Sequence, residues 1–183
     1  MDKWEIAKEI NNYFLHNIRT QLAVIVSGIE LLDFDEEFEN LRDSISFSAF
    51  LLDIYDALMS NLFDILTDKI CIEASSFKLV DPVEKLVSMF NSFESNRVKF
   101  ILDNKEDFEV KVNYYVFKNI IGVLLAECIK EYSDKIKLEI RNKSVKFIIK
   151  HDKLSPFLFK INNLLEKYNI SIYKDEYVEV RVL

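Results

Sequence analysis

Glycine is nearly absent from this 183-residue chain: Gly28 and Gly122 are its only two. A phosphate-cradling loop needs several glycines close together so that backbone N–H groups can converge on the ligand. No such loop can exist here. Cysteine is equally scarce. Cys71 and Cys128 lie far apart, fit no metal-ligand spacing, and each falls in an apolar run. They read as reduced, buried thiols and exclude a disulfide framework. Positive charge is in deficit: 24 Lys and Arg face 31 Asp and Glu, for a net charge of -7. A nucleic-acid binder needs the opposite balance. No apolar run reaches the roughly eighteen residues of a membrane span, and no basic, apolar leader precedes the first charged helix. The expectation is a cytoplasmic protein with no membrane and no nucleic-acid partner. Half of the residues are hydrophobic and 30% are charged, which suits an ordinary globular chain with a real core.

What is present divides into two unlike halves. Residues 1–72 read as a helical hairpin. Ile6, Ile10, Tyr13, Phe14, Leu22, Ile25, Ile29 and Leu32 recur at three- and four-residue steps. The acidic stretch Asp33–Asn40 interrupts that pattern and leads into a second helix carrying Leu41, Ile45, Leu52, Tyr55, Leu58, Leu62 and Ile65, unbroken by proline or glycine up to about Lys69. A lone hairpin cannot bury both faces of both helices. Two copies closing a four-helix bundle would solve this, so a homodimer is expected.

Residues 73–183 alternate strands with helices. Pro82 opens a helix with Val83, Leu86, Val87 and Phe90 on one face. "VKFIL" and "FEVKV" read as a first strand pair around "DNKED". Tyr114–Tyr132 is a strongly apolar helix. "KIKLEI" and "VKFIIK" form a second pair around "RNKS", a helix spans Pro156–Tyr168, and "ISIY" and "YVEVRVL" close the chain. The expected class is α+β: the hairpin, then an α/β sandwich with helices on one face of an antiparallel or mixed sheet.

Against this background "FLHNIRTQLAVIVSGIELL" resembles the phosphoacceptor-helix motif of two-component histidine kinases. His16, Ile18, Arg19, Thr20 and Leu22 match; Asn17 replaces the acidic residue and Gln21 the proline. The hairpin resembles that family's dimerisation and phosphotransfer domain. The second half resembles its ATP-binding domain in element order. "NYYVFKNIIGVLLAECIKEYSD" is similar to the asparagine-bearing helix, but Val123 and Glu127 occupy the two asparagine positions. "HDKLSPFLFKINNLLEKYN" stands where Gly-rich boxes and a lid would be, and has no glycine. The chain resembles most the ChpT-type histidine phosphotransferases, dimers with a degenerate ATP-binding-like domain. Gly28, Glu30, Leu31 and Leu32 match their Gly-x-Glu-Leu-Leu stretch, and Asp43 with Ser44 their Asp-Ser pair. The sporulation phosphotransferases are a weaker match.

The resemblance implies a phosphorelay protein. His16 would accept a phosphoryl group from the receiver domain of a hybrid histidine kinase and pass it to response regulators, without using ATP. No cofactor of its own is implied; the Mg2+ belongs to the partner receiver. The chemistry suits histidine, whose ordinary pKa leaves a nucleophilic nitrogen free near neutral pH. Arg19, one turn on, would help neutralise the phosphoryl charge, and Thr20 would orient a water or acceptor oxygen. The expected docking surface comprises Asn12, Leu15, Asn17 and Ala23. A lone helical histidine is ordinarily filler; the matching neighbours set His16 apart. His151 beside Asp152 reads as a turn without a role. The alternative function is a non-catalytic, kinase-like protein that binds and inhibits a histidine kinase or response regulator. An ATP-dependent kinase is disfavoured by the missing glycines and asparagines.

Overall fold

The computed structural model describes residues 2–32, 38–67, 74–105, 108–149 and 153–183. Two long helices come first, α1 (Lys3–Leu32) and α2 (Phe38–Leu66). Asp2 caps α1: its Oδ1 accepts from the Glu5 N–H at 2.8 Å, while its own N–H donates to the Glu5 carboxylate at 3.3 Å. That reciprocal pair satisfies two of the donors a helix start leaves free. Of the acidic connection expected at Asp33–Asn40, residues 33–37 lie outside the described residues and 38–40 already belong to α2; Cys71, His151 and the expected boundary at residue 72 also lie outside the described residues.

The two helices bury themselves unequally. On α2, Phe47, Leu51, Ile54, Tyr55, Leu58, Leu62, Ile65 and Leu66 are all buried. On α1 the buried apolar residues are Ile10 and Phe14 alone among those described. The reason is position: α2 is covered by α1 on one side and by α4 (Tyr114–Glu131) on another. Both glycines serve this packing. A Cβ on Gly28 would stand 2.8 Å from Ile45 Cγ1, and one on Gly122 would stand 3.2 Å from Ile54 Cγ2. They are close-approach positions between helices, not loop residues.

The second half contains β1 (Ser75–Lys78), α3 (Val80–Ser92), β2 (Phe100–Lys105), β3 (Glu109–Val112), α4, β4 (Ile136–Arg141), β5 (Ser144–Phe147), α5 (Pro156–Lys160), α6 (Asn162–Leu165), β6 (Ile170–Lys174) and β7 (Val178–Val182). The main sheet has the order β2-β4-β5-β7-β6 and is mixed: β2 runs parallel to β4, the other neighbours antiparallel. Ile136, Leu138, Ile140, Val145, Phe147, Val178 and Val180 face the core, while Lys137, Glu139, Lys146 and Arg181 alternate outward. This is the expected helical hairpin followed by an α/β layer.

The structure corrects two details. The first strand pair is not a hairpin: β2 joins the main sheet, whereas β3 pairs with β1 in a separate two-stranded ladder, Ser75 opposite Val112. Strand β1, "SSFK", has one apolar residue and gives no alternation to read. The helix expected over Pro156–Tyr168 is broken into α5, α6 and a 3-10 turn at Glu166–Tyr168. Asn162 explains part of the break. Its Oδ1 accepts the Ile172 N–H at 2.6 Å and its Nδ2 donates to Glu166 Oε1 at 3.0 Å, so the segment is tied to β6. The β4–β5 turn behaves as expected, with Asn142 and Lys143 at φ 50° and 58°, the left-handed geometry that matches strand twist.

The two halves share one core. Phe47 and Phe50 of α2 meet Phe90 and Phe93 from α3 and the residue after it, at ring separations between 4.9 and 6.3 Å. Helix α4 carries an unbroken buried run, Ile120–Cys128, as a helix covered on every side must. Polar ties cross the same junction: Asn119 Nδ2 donates to Asn61 Oδ1 at 2.8 Å, and the Ser95 N–H donates to Asp43 Oδ2 at 2.7 Å. Burial alone would push the Asp43 carboxyl up, but the Ser95 hydrogen bonds prevail and hold it below its ordinary range.

Candidate functional site

His16 lies near the middle of α1 and is exposed. Its surroundings follow from helical periodicity. Phe14, Asn17 and Gln21 are buried against the rest of the protein, so the residues between them, His16 and Thr20, come to the edge of that seam. Thr20 Oγ1 donates to the His16 carbonyl oxygen at 3.0 Å, a back-bond one turn away that spends the hydroxyl proton on the helix itself.

Beside His16 opens a cleft of about 330 Å³ between α1 and α4. Tyr13, His16, Asn17 and Thr20 contribute from α1; Glu127, Lys130 and Glu131 from α4; Ser155 closes one end as the N-cap of α5. The centre of the cleft is Lys130. Its Nζ donates to Asn17 Oδ1 at 2.5 Å and to Glu127 Oε1 at 2.8 Å, and sits 4.9 Å from the Tyr55 ring centroid. A carboxylate as buried as Glu127 needs such a partner, since an unpaired charge there would be costly. The pair leaves its mark on the groups around it. Burial first, then the Glu127 charge, pushes the Tyr13 and Tyr55 phenols well above their ordinary range and the Cys128 thiol likewise upward. These three groups stay protonated at any physiological pH.

The residues singled out in the sequence fall in different places. His16 and Thr20 share the cleft. Arg19 is exposed and does not line it. Asn12, Leu15 and Ala23 are exposed. Asn17 is the exception: it is 3% exposed and held by Lys130, so its side chain is not on offer to a partner. Glu127 and Lys130 were missed as site residues. The signal was present, since an acidic residue in an otherwise apolar helix with a lysine at i+3 marks a buried pair, but nothing in the sequence says that the pair faces His16.

A second feature of α1 is apolar. Leu15, Leu22, Val26 and Ile29 are 37%, 46%, 53% and 55% exposed, and the partly buried Ile18 and Ile25 lie between them. Residues 15, 18, 22, 25 and 29 repeat at alternating three- and four-residue steps, the spacing of a helix-pairing seam.

Among the described residues no helix is long and apolar enough to cross a membrane, and no cluster of three or more His, Cys, Asp or Glu is arranged to hold a metal ion.

No family model matches the sequence, and no curated protein matches it. Solved structures do. The cytoplasmic segment of the histidine kinase QseC superposes with a TM-score of 0.57 at 9% identity, covering 71% of this chain and 94% of that one. The Acinetobacter baumannii histidine kinase AdeS gives 0.54 at 13% identity over 91% of this chain and 96% of its own. A bacterial phosphotransferase gives 0.50 at 13% identity, over 98% and 96% respectively. At these identities the likeness establishes the fold: a two-helix hairpin followed by an α/β domain, arranged as in the cytoplasmic part of histidine kinases.

Proposed function

We propose that this chain is a histidine phosphotransferase of two-component signalling, most similar to the ChpT type, which shuttles phosphoryl groups between receiver domains through His16. The observation that carries the reading is the placement of His16: exposed, mid-helix and beside a polar cleft, on a fold shared with histidine kinases and a phosphotransferase. A donor receiver presents an aspartyl phosphate together with its own Mg2+. A ring nitrogen of His16 attacks phosphorus, the P–N bond forms, and the acyl P–O bond breaks with its electron pair returning to the aspartate. The reverse step delivers the group to a second receiver. Positioning and charge neutralisation supply most of the rate.

The roles follow. His16 is the nucleophile. Thr20 steadies its turn of helix through the back-bond to the His16 carbonyl. Arg19, exposed one turn on, faces the incoming receiver rather than the cleft. Asn12, Leu15 and Ala23 form the docking surface, Leu15 standing at the edge where it meets the apolar seam of Leu22, Val26 and Ile29. That seam closes a homodimeric four-helix bundle, which would bury side chains that otherwise stand in water. No step uses ATP: the helix that would hold nucleotide instead directs Glu127 into the pair with Lys130. The protein acts in the cytoplasm, where receivers are found.

Two assays test the reading. Phosphorylated receiver should label the wild type and not His16→Ala, with both variants equally folded. ATP should leave the melting temperature unchanged, because a ligand stabilises only the state it binds. Receiver binding without label would support the inhibitory, non-catalytic alternative.

A further inference from the structure

We propose that Lys130, carried by the C-terminal half, contacts the phosphoryl group on His16 and is the cation that neutralises it. This rests on the phosphotransfer reading and names a residue that the sequence motif does not contain.

Lys130 has unfilled hydrogen-bonding capacity. A lysine ammonium has three N–H donors. Asn17 and Glu127 take two of those on Lys130, and no acceptor for the third is found among the described residues. The Lys130 side chain is 31% exposed against 6% for Glu127 and lines the cleft, while its carboxylate partner is nearly buried. Asn17, 3% exposed, is committed to Lys130 through its Oδ1 and leaves the phosphoryl contact to the lysine. One Lys130 donor thus stands in the cleft that His16 borders, with no oxygen or nitrogen acceptor for it among the described residues. Phosphoryl oxygens, arriving bonded to His16, are acceptors of the right charge and number.

Charge points the same way. Among the residues lining the cleft, Lys130 alone carries a permanent positive charge, while Glu127 and Glu131 are acidic. A phosphoryl dianion entering without Lys130 would meet only repulsion. In the resting state Glu127 occupies the ammonium; on phosphorylation Lys130 is shared between Glu127 below and phosphoryl oxygen above. Lys130 itself makes and breaks no covalent bond. The arrangement also accounts for Asn17. An acidic residue there would compete with Glu127 for one lysine, whereas the amide oxygen accepts from Lys130 without adding a second negative charge.

The test uses potassium phosphoramidate as a partner-free donor. A P–N bond forms to His16 as the P–N bond to ammonia breaks, ammonia leaving with the bonding pair. Wild type, Lys130→Met, Lys130→Arg and Glu127→Gln are compared for the initial rate of His16 phosphorylation and the half-life of phospho-His16, with thermal unfolding recorded for each. Lys130→Met should be slower by about tenfold or more, the size expected for one hydrogen bond to a charged group. Lys130→Arg should restore most of the rate, because it keeps the charge. Glu127→Gln frees the lysine and should phosphorylate at least as fast as the wild type. Lys130→Met at the wild-type rate, or Lys130→Arg as slow as Lys130→Met, overturns the inference. Should Lys130→Met fail to fold, a slow Glu127→Gln that remains folded overturns it as well. The two claims fail separately. A wild type unlabelled by every phosphorylated receiver, yet Lys130-dependent with phosphoramidate, sinks the shuttle reading and leaves the Lys130 contact standing.

Discussion

Tyr13 and Phe157 stack with ring centroids 4.2 Å apart and planes inclined by 15°, across the junction between the first helix and the C-terminal half. Phe14 packs edge-on to the same Phe157 at 5.6 Å. The turn of helix that carries His16 is therefore clamped by aromatic contact from the other half of the chain. On the proposed phosphotransfer reading, this gives rigidity where alignment sets the rate.

Removing the clamp should cost stability. Phe157 is 4% exposed and touches two aromatic neighbours, so Phe157→Ala is expected to destabilise the protein by about 3–5 kcal/mol. Urea unfolding monitored by circular dichroism checks this. A loss below about 1 kcal/mol would show that the surrounding core can collapse into the gap.

The apolar seam on α1 predicts the oligomeric state. Leu22 is 46% exposed and Ile29 55% exposed in the single chain. In a symmetric dimer each substitution counts twice, so Leu22→Glu should raise the dimer dissociation constant by more than about 100-fold, from the transfer energy of two leucines. Sedimentation equilibrium reads this directly. Unchanged mass for both Leu22→Glu and Ile29→Glu would place any dimer contact elsewhere.

The outer face of the sheet predicts a pH dependence. Ser144 Oγ donates to Glu179 Oε1 at 2.5 Å, and Arg181 donates through Nε and Nη2 to Oε2 at 2.7 and 2.6 Å. Burial alone would raise the Glu179 carboxyl, but the Arg181 and Ser144 hydrogen bonds outweigh it and the net shift is downward. A depressed folded-state pKa stabilises the fold above the unfolded value, about 4.3 for a glutamate, and that contribution disappears as pH falls through the folded value. The stability gap between the wild type and Glu179→Gln should thus be full at pH 7 and shrink below about pH 4. A gap constant across that range would mean the carboxylate does not titrate as the geometry requires.

Much of this architecture is legible in the sequence, for stated reasons. The three- and four-residue steps of Ile10, Phe14 and their neighbours reveal α1, and the alternation of "KIKLEI" reveals β4 with its buried Ile136, Leu138 and Ile140. The pairing of β1 with β3 is not legible, because "SSFK" has no pattern and strand partners are set by the tertiary fold. At the site, the motif points to His16 and its neighbours on one helix. It cannot point to Lys130, which is distant in sequence and reaches Asn17 only once α4 docks against α1. For the same reason Asn17 reads as a surface residue in sequence and is buried in the structure.

The measurement that tests the central claim most directly is a two-receiver transfer without ATP. A phosphorylated receiver domain from the same cell is incubated with this protein, the label is mapped, and a second receiver is then added. Acid-labile, base-stable phosphate is expected on His16, absent from His16→Ala, and it should discharge onto the second receiver. Stable binding of receivers with no phosphate on His16 would contradict the claim.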